Sequence, residues 1–375
     1  VLQRELLESQ GIPTAVLNIA IGGSSLNQNL PNPSNREDLS TFYGEGLYRL
    51  RKSGLAEHVK AIIWVQGESD QNGLYEDYGV RLEKLYQAWK EDYPNVKRVY
   101  ISQINVGCGT STYASEIREI QRRMSAAHDD ITVITNIGIP IRYDSCHYLD
   151  EGYERLYGQY ARLIEQDFYG KSISKGMYSP NVKSVSWTDD SHSAIAIRFD
   201  QEMVWPAPMW GREMKDYFYD ENEVRLVVNR GYVDNTDGHC VVLELAPGQR
   251  PTHLTYGPDN YVYSSTRGMD TLYVDPWLRN AEGYAALTFD RYPIAESSVL
   301  SYEVIEGQHF VRIEGDMLLA ESTKGIDSIE VYSPSGVLCA KATTYVCPLK
   351  NIARGIYAAR VRMQNGEAIT CKFVY

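Results

Sequence analysis

The sequence predicts an α/β protein in which a parallel β-sheet covered by helices is followed by two all-β sandwich domains. The chain has 375 residues, which is more than one hydrophobic core usually serves. Short apolar runs alternate with helical patterns up to about residue 170, and later runs are separated only by turns. We therefore predict an α/β domain over residues 1–172, a β-sandwich accessory domain over 173–300 and an immunoglobulin-like domain over 301–375.

Four short runs of β-forming residues predict the strands of the first domain. They are PTAVLNIAI (13–21), VKAIIWV (59–65), RVYISQI (98–104) and ITVITNI (131–137). Apolar residues recur at helical spacing between and after these runs, as in Tyr78, Leu82, Leu85 and Trp89, in Ile117, Ile120 and Met124, and in Tyr153, Leu156, Tyr160 and Leu163. Strands that are apolar on both faces and separated by helices indicate a doubly wound parallel sheet.

The remaining chain shows strand patterns without a long helical period. The middle domain has the runs SAIAIRF (193–199), EVRLVVN (223–229), HCVVLEL (239–245) and YAALTF (284–289). The last domain has HFVRIEG (309–315), SIEVYSPSGVL (328–338), GIYAARVRM (355–363) and EAITCKFVY (367–375). Such closely spaced strands are typical of β-sandwiches.

Composition excludes several classes of protein. The net charge of −12 leaves no basic face for neutralising phosphates, so we expect no nucleic-acid partner. No apolar run approaches the roughly 20 residues of a membrane helix, so we expect no membrane span. The six cysteines form no CxxC pair, which argues against a metal site built on cysteine.

Three polar clusters follow predicted strands, at the edge where a doubly wound sheet binds its ligands. They are IGGSSLNQN (21–29), QGESD (66–70) and YDSCHYLDEGY (143–153). Each has a simpler interpretation, as a tight glycine turn, a capped strand-to-helix connection and an ordinary loop histidine. Their position on one edge of one sheet favours a functional site.

Asp144 and His147 have a spacing that suits acid–base chemistry. A carboxylate three residues before a histidine in a loop can accept a hydrogen bond from Nδ1–H of the imidazole. That bond fixes the tautomer and leaves Nε2 free to act as a general base. The Asp-x-x-His pattern alone is common by chance, so it gains weight only beside the other clusters.

The segments GIPTAVLNIAIGGSSL, IIWVQGESD and YDSCHYLDEGYERL resemble, in this order, the second, third and fifth sequence blocks of SGNH-type hydrolases. More narrowly, they are similar to the sialate O-acetylesterase and acetylxylan esterase group. The resemblance implies a serine esterase that removes acetyl groups from glycans, with no metal or organic cofactor. It assigns Asp144 and His147 to a Ser-His-Asp triad. It also makes Gly22, Gly23 and Gln66 the oxyanion region, with Gly67 and Glu68 in support.

The family's first block, a Gly-x-Ser segment that carries the nucleophile, is absent from the sequence. In the flavodoxin-like strand order that block's strand lies between the strands predicted at 13–21 and 59–65. We expect the natural polypeptide to extend beyond Val1, with the missing strand outside this sequence or in a separate N-terminal chain. Ser24 and Ser25 are the fallback nucleophiles. The alternative function is a non-catalytic glycan-binding cell-surface protein on a hydrolase scaffold, and a lipase-like SGNH hydrolase is a third.

The last 75 or so residues resemble the C-terminal sorting domain of the type IX secretion system. The resemblance rests on Val331-Tyr332, Ser335-Gly336, Gly355-Ile356-Tyr357 and Lys372-Phe373-Val374. It implies export by that machinery to the outer surface of a Bacteroidetes-type cell, or secretion. An ordinary immunoglobulin-like domain is the alternative.

Overall fold

The protein is described here by a computed structural model. It describes residues 1–70, 75–105, 113–139, 147–172, 177–209, 211–257, 276–296, 309–314, 317–322, 325–333, 335–353 and 356–374. Two compact units result, one of residues 1–185 with 194–294 and one of residues 186–193 with 295–375. The predicted domain boundaries at 172 and 300 stay a prediction.

A parallel three-stranded sheet with five helices forms the N-terminal part of the first unit. The strands are β1 (Ala61–Trp64), β2 (Arg98–Gln103) and β3 (Ile131–Thr135), side by side in that order. The helices are α1 (Leu2–Gln10), α2 (Phe42–Lys52), α3 (Tyr78–Asp92), α4 (Ala114–Ala127) and α5 (Asp150–Tyr169). Within the part of the chain that the structure describes, no helix has the length and apolar character needed to cross a membrane.

Alternate residues of the strands face two different hydrophobic cores. One core combines Ile62, Trp64, Val99, Ile101 and Val133 with side chains of α2, α3 and α4. The other combines Ala61, Ile63, Tyr100 and Ile134 with side chains of α1 and α5. Helices therefore cover both faces of the sheet, which explains why its strands are apolar on both faces.

The helical predictions agree with the structure, and one helix was missed. The apolar stripes predicted for α3, α4 and α5 are buried except for Ile120 and Tyr153, which are half-buried. Helix α1 ends at Gly11, whose φ of 69° is the left-handed conformation typical of a helix stop. The sequence analysis did not predict α2. Its start carries a recognisable signal, because the Thr41 side chain accepts a hydrogen bond from the backbone N–H of Gly44 at 3.0 Å.

The strand predicted at residues 13–21 is wrong. This stretch contains no strand, and apolar side chains on and beside it are exposed: Ile12 by 47%, Val16 by 50%, Leu17 by 38% and Ile21 by 46%. The described residues supply no strand that pairs with it, and β1 is paired on its β2 side only. A β-forming sequence without a neighbouring ladder gains no inter-strand hydrogen bonds, so its propensity alone does not make it a strand.

The rest of the first unit consists mainly of antiparallel sheets. Its strands are β4 (Val182–Trp187), β5 (Ala194–Phe199), β6 (Met203–Val204), β7 (Phe218–Tyr219), β8 (Val228–Val233), β9 (Cys240–Leu245), β10 (His253–Tyr256), β11 (Arg279–Asn280) and β12 (Phe289–Pro293). They form sheets in the orders β4-β5-β9-β8, β12-β10-β7 and β11-β6. The runs predicted at 193–199 and 239–245 are strands, whereas those at 223–229 and 284–289 only touch the ends of β8 and β12.

Buried hydrogen bonds join the parallel sheet to the β region within this unit. Gln103, the last residue of β2, donates from Nε2 to the Thr288 carbonyl at 2.8 Å and accepts from the Thr288 N–H at 2.9 Å. Arg118 of α4 is fully buried and donates to Thr288 Oγ1 at 3.0 Å and to the Gly257 carbonyl at 2.6 Å. Residues of the β region thus complete the polar pairing at the end of the parallel sheet.

The second unit is built from two antiparallel sheets. Its strands are β13 (His309–Glu314), β14 (Met317–Ser322), β15 (Ile326–Tyr332), β16 (Leu338–Ala342), β17 (Val346–Pro348), β18 (Ile356–Met363) and β19 (Ala368–Val374). They are ordered β13-β14-β17 and β16-β15-β18-β19. The runs predicted at 309–315, 355–363 and 367–375 coincide with β13, β18 and β19. The run at 328–338 covers most of β15, the turn in which Gly336 has a φ of 82°, and the first residue of β16.

Candidate functional site at the carboxyl edge of the sheet

Gly67 fixes the backbone immediately after β1. Its φ is 146°, a value that residues with a side chain rarely adopt. A Cβ atom at this position would lie 2.9 Å from Ile117 Cγ2 and 3.0 Å from both Gln121 Nε2 and Ile104 Cγ2. The glycine therefore allows α4 and the end of β2 to pack directly against the backbone that follows β1.

Gln66 lies at the centre of a buried hydrogen-bond network and is 8% exposed. Its Nε2 donates to Asp70 Oδ2 at 2.5 Å and to the Ser24 carbonyl at 3.1 Å. Its backbone carbonyl accepts from the Tyr78 hydroxyl at 3.1 Å and from Gln121 Nε2 at 2.8 Å. Both amide hydrogens are thus engaged, and donation to a substrate oxygen would require one of them to be released. The predicted oxyanion role of Gln66 stays a prediction.

The Gly22-Gly23 segment forms an exposed turn beside Gln66. The Ser24 N–H donates to the Ile21 carbonyl at 3.2 Å, and Gly23 adopts the left-handed conformation with φ 73°. A Cβ placed on either glycine would find no atom within 4 Å, so the backbone of this turn borders open space. The oxyanion role assigned to Gly22 and Gly23 is not decided by this geometry.

Ser24 and Ser25, the fallback nucleophiles, make local contacts within the same loop. Ser24 Oγ accepts from Asn29 Nδ2 at 2.9 Å. Ser25 donates from its backbone N–H to Gln28 Oε1 at 2.9 Å and begins a short 3₁₀ helix over Leu26–Asn29. The Ser25 hydroxyl also donates to Gln28 Oε1, at 3.2 Å, so both hydroxyls are engaged by side chains of their own loop.

Glu68 and His147 interact electrostatically. Burial raises the pKa of the Glu68 carboxyl group, and a backbone hydrogen bond and the electrostatic interaction with His147 act in the opposite direction. The residue Glu68 is half-buried as a whole, and His147 is exposed. Two of the predicted polar clusters therefore approach each other at this edge of the sheet. Asp144, the proposed partner of His147, lies outside the described residues.

Tyr148 extends this cluster into the protein interior. It is 4% exposed, and burial raises its pKa well above the usual value, with a further increase from the negative charge of Glu68. Its hydroxyl lies beside Asn136, which follows β3 and is fully buried. Asn105, which follows β2, is likewise 2% exposed. Each of the three strands is thus followed by a buried amide side chain, counting Gln66 after β1.

Sequence reasoning missed several of these residues. Asp70 stands in the QGESD cluster but was given no role, although an acid in the turn after an apolar strand is itself a signal. Tyr78 was assigned only to the apolar face of α3, and its hydroxyl was overlooked. Gln121 is a polar residue that is fully buried on α4. The amides Asn105 and Asn136 also follow strands, so the rule used for the other clusters could have found them.

No metal site is apparent in the described ranges. They contain no group of three or more His, Cys, Asp or Glu side chains that could hold a metal ion. The buried carboxyl groups Glu68 and Asp70 are held instead by hydrogen bonds and by the charges of His147 and Arg81. The prediction that the reaction needs no metal or organic cofactor stays a prediction.

Comparison with solved structures gives only distant similarities. A tri-modular endo-β-1,4-glucanase B from Bacillus halodurans is 10% identical, with 88% of this chain and 77% of that chain covered and a TM-score of 0.19. The pullulanase of Group B Streptococcus is 8% identical, with 51% and 23% covered and a TM-score of 0.17. The chain thus spans about a quarter of that pullulanase. TM-scores as low as these two support no inference about fold or function.

Comparison with protein families is more informative for the N-terminal part. No curated protein matches the chain. Residues 2–166, which include α1 to α4, β1 to β3 and most of α5, match a family model. The family is described as carbohydrate esterase, sialic acid-specific acetylesterase, so this match supports the esterase interpretation of the parallel-sheet region.

Proposed function

We propose that the protein is a carbohydrate O-acetylesterase that removes acetyl groups from glycans of the sialic acid type by a Ser-His-Asp mechanism. The observation that carries the proposal is the family match over residues 2–166, and the electrostatic interaction of Glu68 with His147 supports it. The family that matches residues 2–166 is described as an acetylesterase, which supports ester hydrolysis as the reaction. Acetylated xylan is the second substrate class that the sequence resemblance suggests.

In the first half of the reaction, His147 takes the proton of the serine hydroxyl as the serine oxygen attacks the acetyl carbonyl carbon. The carbonyl π electrons move onto oxygen, where the Gly23 N–H donates a hydrogen bond to the negative charge. The Gln66 amide donates the second, with the hydrogen that it releases from the Ser24 carbonyl, while its other hydrogen stays on Asp70. A pre-positioned donor of this kind raises kcat by about 10²–10³-fold. Collapse of the tetrahedral intermediate breaks the bond to the sugar oxygen, which leaves with the proton from His147.

In the second half, His147 takes a proton from water, and the resulting hydroxide attacks the acetyl-serine. Breakdown releases acetate, and the imidazolium returns its proton to the serine oxygen. Asp144 orients the imidazole throughout. Activity falls at acid pH, because a protonated imidazole cannot accept the serine proton.

A His147→Ala variant tests the base. We expect kcat for acetate release from O-acetylated sialic acid to fall by about 10²–10⁴-fold, which is the usual contribution of a general base. His58→Ala is the matched control, since His58 is exposed on a different loop, and its kcat should be unchanged. An unchanged rate in His147→Ala would rule out the proposed mechanism.

The nucleophile is located by labelling the protein with a serine-directed phosphonate and identifying the modified peptide by mass spectrometry. A label on a residue that precedes Val1 in the full polypeptide supports the expectation from the sequence. A label on Ser24 identifies the fallback nucleophile instead. Absence of any labelled serine in active protein would contradict serine catalysis.

Non-catalytic glycan binding is the second candidate. It is favoured by the engagement of both Gln66 amide hydrogens within the protein. Calorimetry with acetylated and deacetylated sialosides, run beside an assay for acetate, separates the two functions. Saturable binding without acetate release in the full polypeptide supports the binding protein.

We also propose that the protein is exported and that residues 301–375 are a type IX sorting domain. The second unit's two antiparallel sheets are compatible with such a domain, and the sequence resemblance described above is its support. Deleting residues 301–375 in a type IX-competent host should retain the protein inside the cell. Unchanged appearance at the surface or in the medium would overturn this part of the proposal.

A further inference from the structure

Asp70 is a buried acid that the mechanism above does not use. It is 0% exposed, and Oδ2 accepts two hydrogen bonds, from Gln66 Nε2 at 2.5 Å and from the Leu26 N–H at 2.8 Å. Its other oxygen, Oδ1, lies 3.9 Å from Arg81 Nη2 and has no hydrogen-bond partner among the residues that the structure describes. The acid thus directs one oxygen at two groups that come from different parts of the chain.

These bonds belong to a closed network. The second amide hydrogen of Gln66 reaches the Ser24 carbonyl at 3.1 Å, and Ser24 and Leu26 are two residues apart in the loop that begins at Gly22. Asp70 and Gln66 are likewise neighbours in the turn after β1, where the Asp70 N–H donates to the Gly67 carbonyl at 3.0 Å. The loop at Gly22 therefore contributes two backbone groups, and the turn after β1 contributes the two side chains that bind them.

The network joins segments that no β-ladder connects. Residues 13–21 form no strand, so the loop at Gly22 is not held in place by pairing with β1. Without such pairing, the position of the Gly23 N–H relative to Gln66 depends on side-chain hydrogen bonds. A buried carboxylate that accepts two N–H groups is a strong means of fixing two loops.

We propose that Asp70 is a positioning residue, which sets the distance between the Gly22-Gly23 turn and Gln66 by accepting from Gln66 and Leu26 with one oxygen. The catalytic consequence rests on the proposed esterase function, in which these two groups bind the oxyanion. Asp70 itself does not touch the substrate. The position of the turn depends on the oxygen that accepts the two hydrogen bonds, and it does not depend on the negative charge of the carboxylate.

That distinction gives a test with a conservative variant. Asp70→Ala removes the acceptor, whereas Asp70→Asn keeps an oxygen that can take the Oδ2 position. Asp92 provides the matched control, because it is also buried and accepts from Tyr43 and two arginines, but at the last residue of α3. The control variant is Asp92→Ala.

The first measurement is amide hydrogen exchange at Leu26 in the full polypeptide, which does not depend on activity. We expect exchange at Leu26 to speed up at least tenfold in Asp70→Ala and to stay within about threefold of wild type in Asp70→Asn and Asp92→Ala. Unchanged exchange in Asp70→Ala overturns the proposal. Equal acceleration in Asp70→Asn also overturns it, because the charge and its interaction with Arg81 would then be what matters.

The second measurement is kinetic. In the active enzyme we expect Asp70→Ala to lower kcat by about 10–10²-fold with KM within about twofold, since the oxyanion forms only in the transition state. Asp70→Asn should restore most of kcat. If wild type releases no acetate, the esterase proposal fails. Amide exchange at Leu26 still tests whether Asp70 holds the two loops together. If Asp70→Ala does not fold, Asp70→Ser, whose shorter side chain leaves Leu26 unbonded, replaces it in both measurements.

Discussion

Residues 13–21 and strand β2 have similar patterns of β-forming residues, but only β2 forms a strand. Both are short runs of β-forming residues, and both were predicted as strands. In β2, Val99, Tyr100 and Ile101 are fully buried between two neighbouring strands. In the other stretch, Val16 is 50% exposed and no ladder forms. Sequence pattern therefore identifies a segment that can become a strand, and neighbouring strands decide whether it does.

Strand β1 lies between these extremes. It pairs with β2 on one side, and all four of its residues are half-buried. Burial thus rises with the number of paired edges, from residues 13–21 with none, through β1 with one, to β2 with two. Because hydrophobic stabilisation scales with the apolar area removed from water, the same residue type should stabilise these three segments very differently.

The sharpest test of this comparison is a matched pair of isoleucines. Ile101→Ala in β2 should lower the free energy of unfolding by about 2–5 kcal/mol, because it leaves a cavity in a packed core. Ile21→Ala, at a residue that is 46% exposed, should change it by less than about 0.5 kcal/mol. Urea unfolding of both variants measures the difference. Comparable losses would show that residues 13–21 are buried in solution and would break the comparison.

Alanine substitution of the glycines that follow β1 and residues 13–21, Gly67 and Gly22, should change stability by a smaller amount. Gly67→Ala should destabilise by about 1–3 kcal/mol, because the added methyl group would lie 2.9 Å from Ile117 on a backbone with positive φ. Gly22→Ala should cost less than about 0.5 kcal/mol, since its surroundings are open. Thermal unfolding of the two variants compares them. Equal costs would mean that the turn after residue 21 is also tightly packed.

The pH dependence of stability gives the smallest effect, on the order of 1 kcal/mol. Burial raises the folded-state pKa of Asp70 above its ordinary 3.8, while the bonds from Gln66 and Leu26 and the charge of Arg81 act the other way. The native state therefore binds this proton more tightly than the unfolded state does, and the contribution of Asp70 to stability declines as pH rises above about 4.

Asp70→Asn removes this titration, so it serves as the reference in urea unfolding at pH 4 and pH 7. The stability of wild type relative to Asp70→Asn should be greater at pH 4 than at pH 7. A difference that grows with rising pH would contradict the raised pKa. Leu26 exchange should remain close to wild type in this variant at both pH values, as expected if the acceptor oxygen holds the loop.

Local patterns predicted much of the parallel-sheet region. The stripes of α3, α4 and α5 and the runs of β1, β2 and β3 are short-range signals, because each element shows its buried face within its own sequence. The missed α2 has a weaker signal, since it contains two glycines and begins after a polar loop. The failed strand at 13–21 shows the limit of such reasoning, because pairing depends on a neighbour that the segment itself does not encode.

The candidate site was predicted in part for a related reason. Gln66, Glu68 and His147 follow strands or precede a helix, and chain position alone places such residues at one edge of the sheet. The bond between Asp70 and the Leu26 N–H could not be predicted, because it joins a side chain to the backbone of a loop more than forty positions away. Likewise, nothing near Gln103 indicates that Thr288 would satisfy its amide.

The pairing of Gln103 and Arg118 with Thr288 and Gly257 bears on how such a protein can change over evolutionary time. An ancestor that exchanged its β region for an unrelated one would leave a buried guanidinium and a buried amide without the partners that Thr288 and Gly257 provide. Recombination of whole segments is therefore disfavoured at this junction, because a buried polar group that loses its partner destabilises the fold. The two parts are expected to be inherited together.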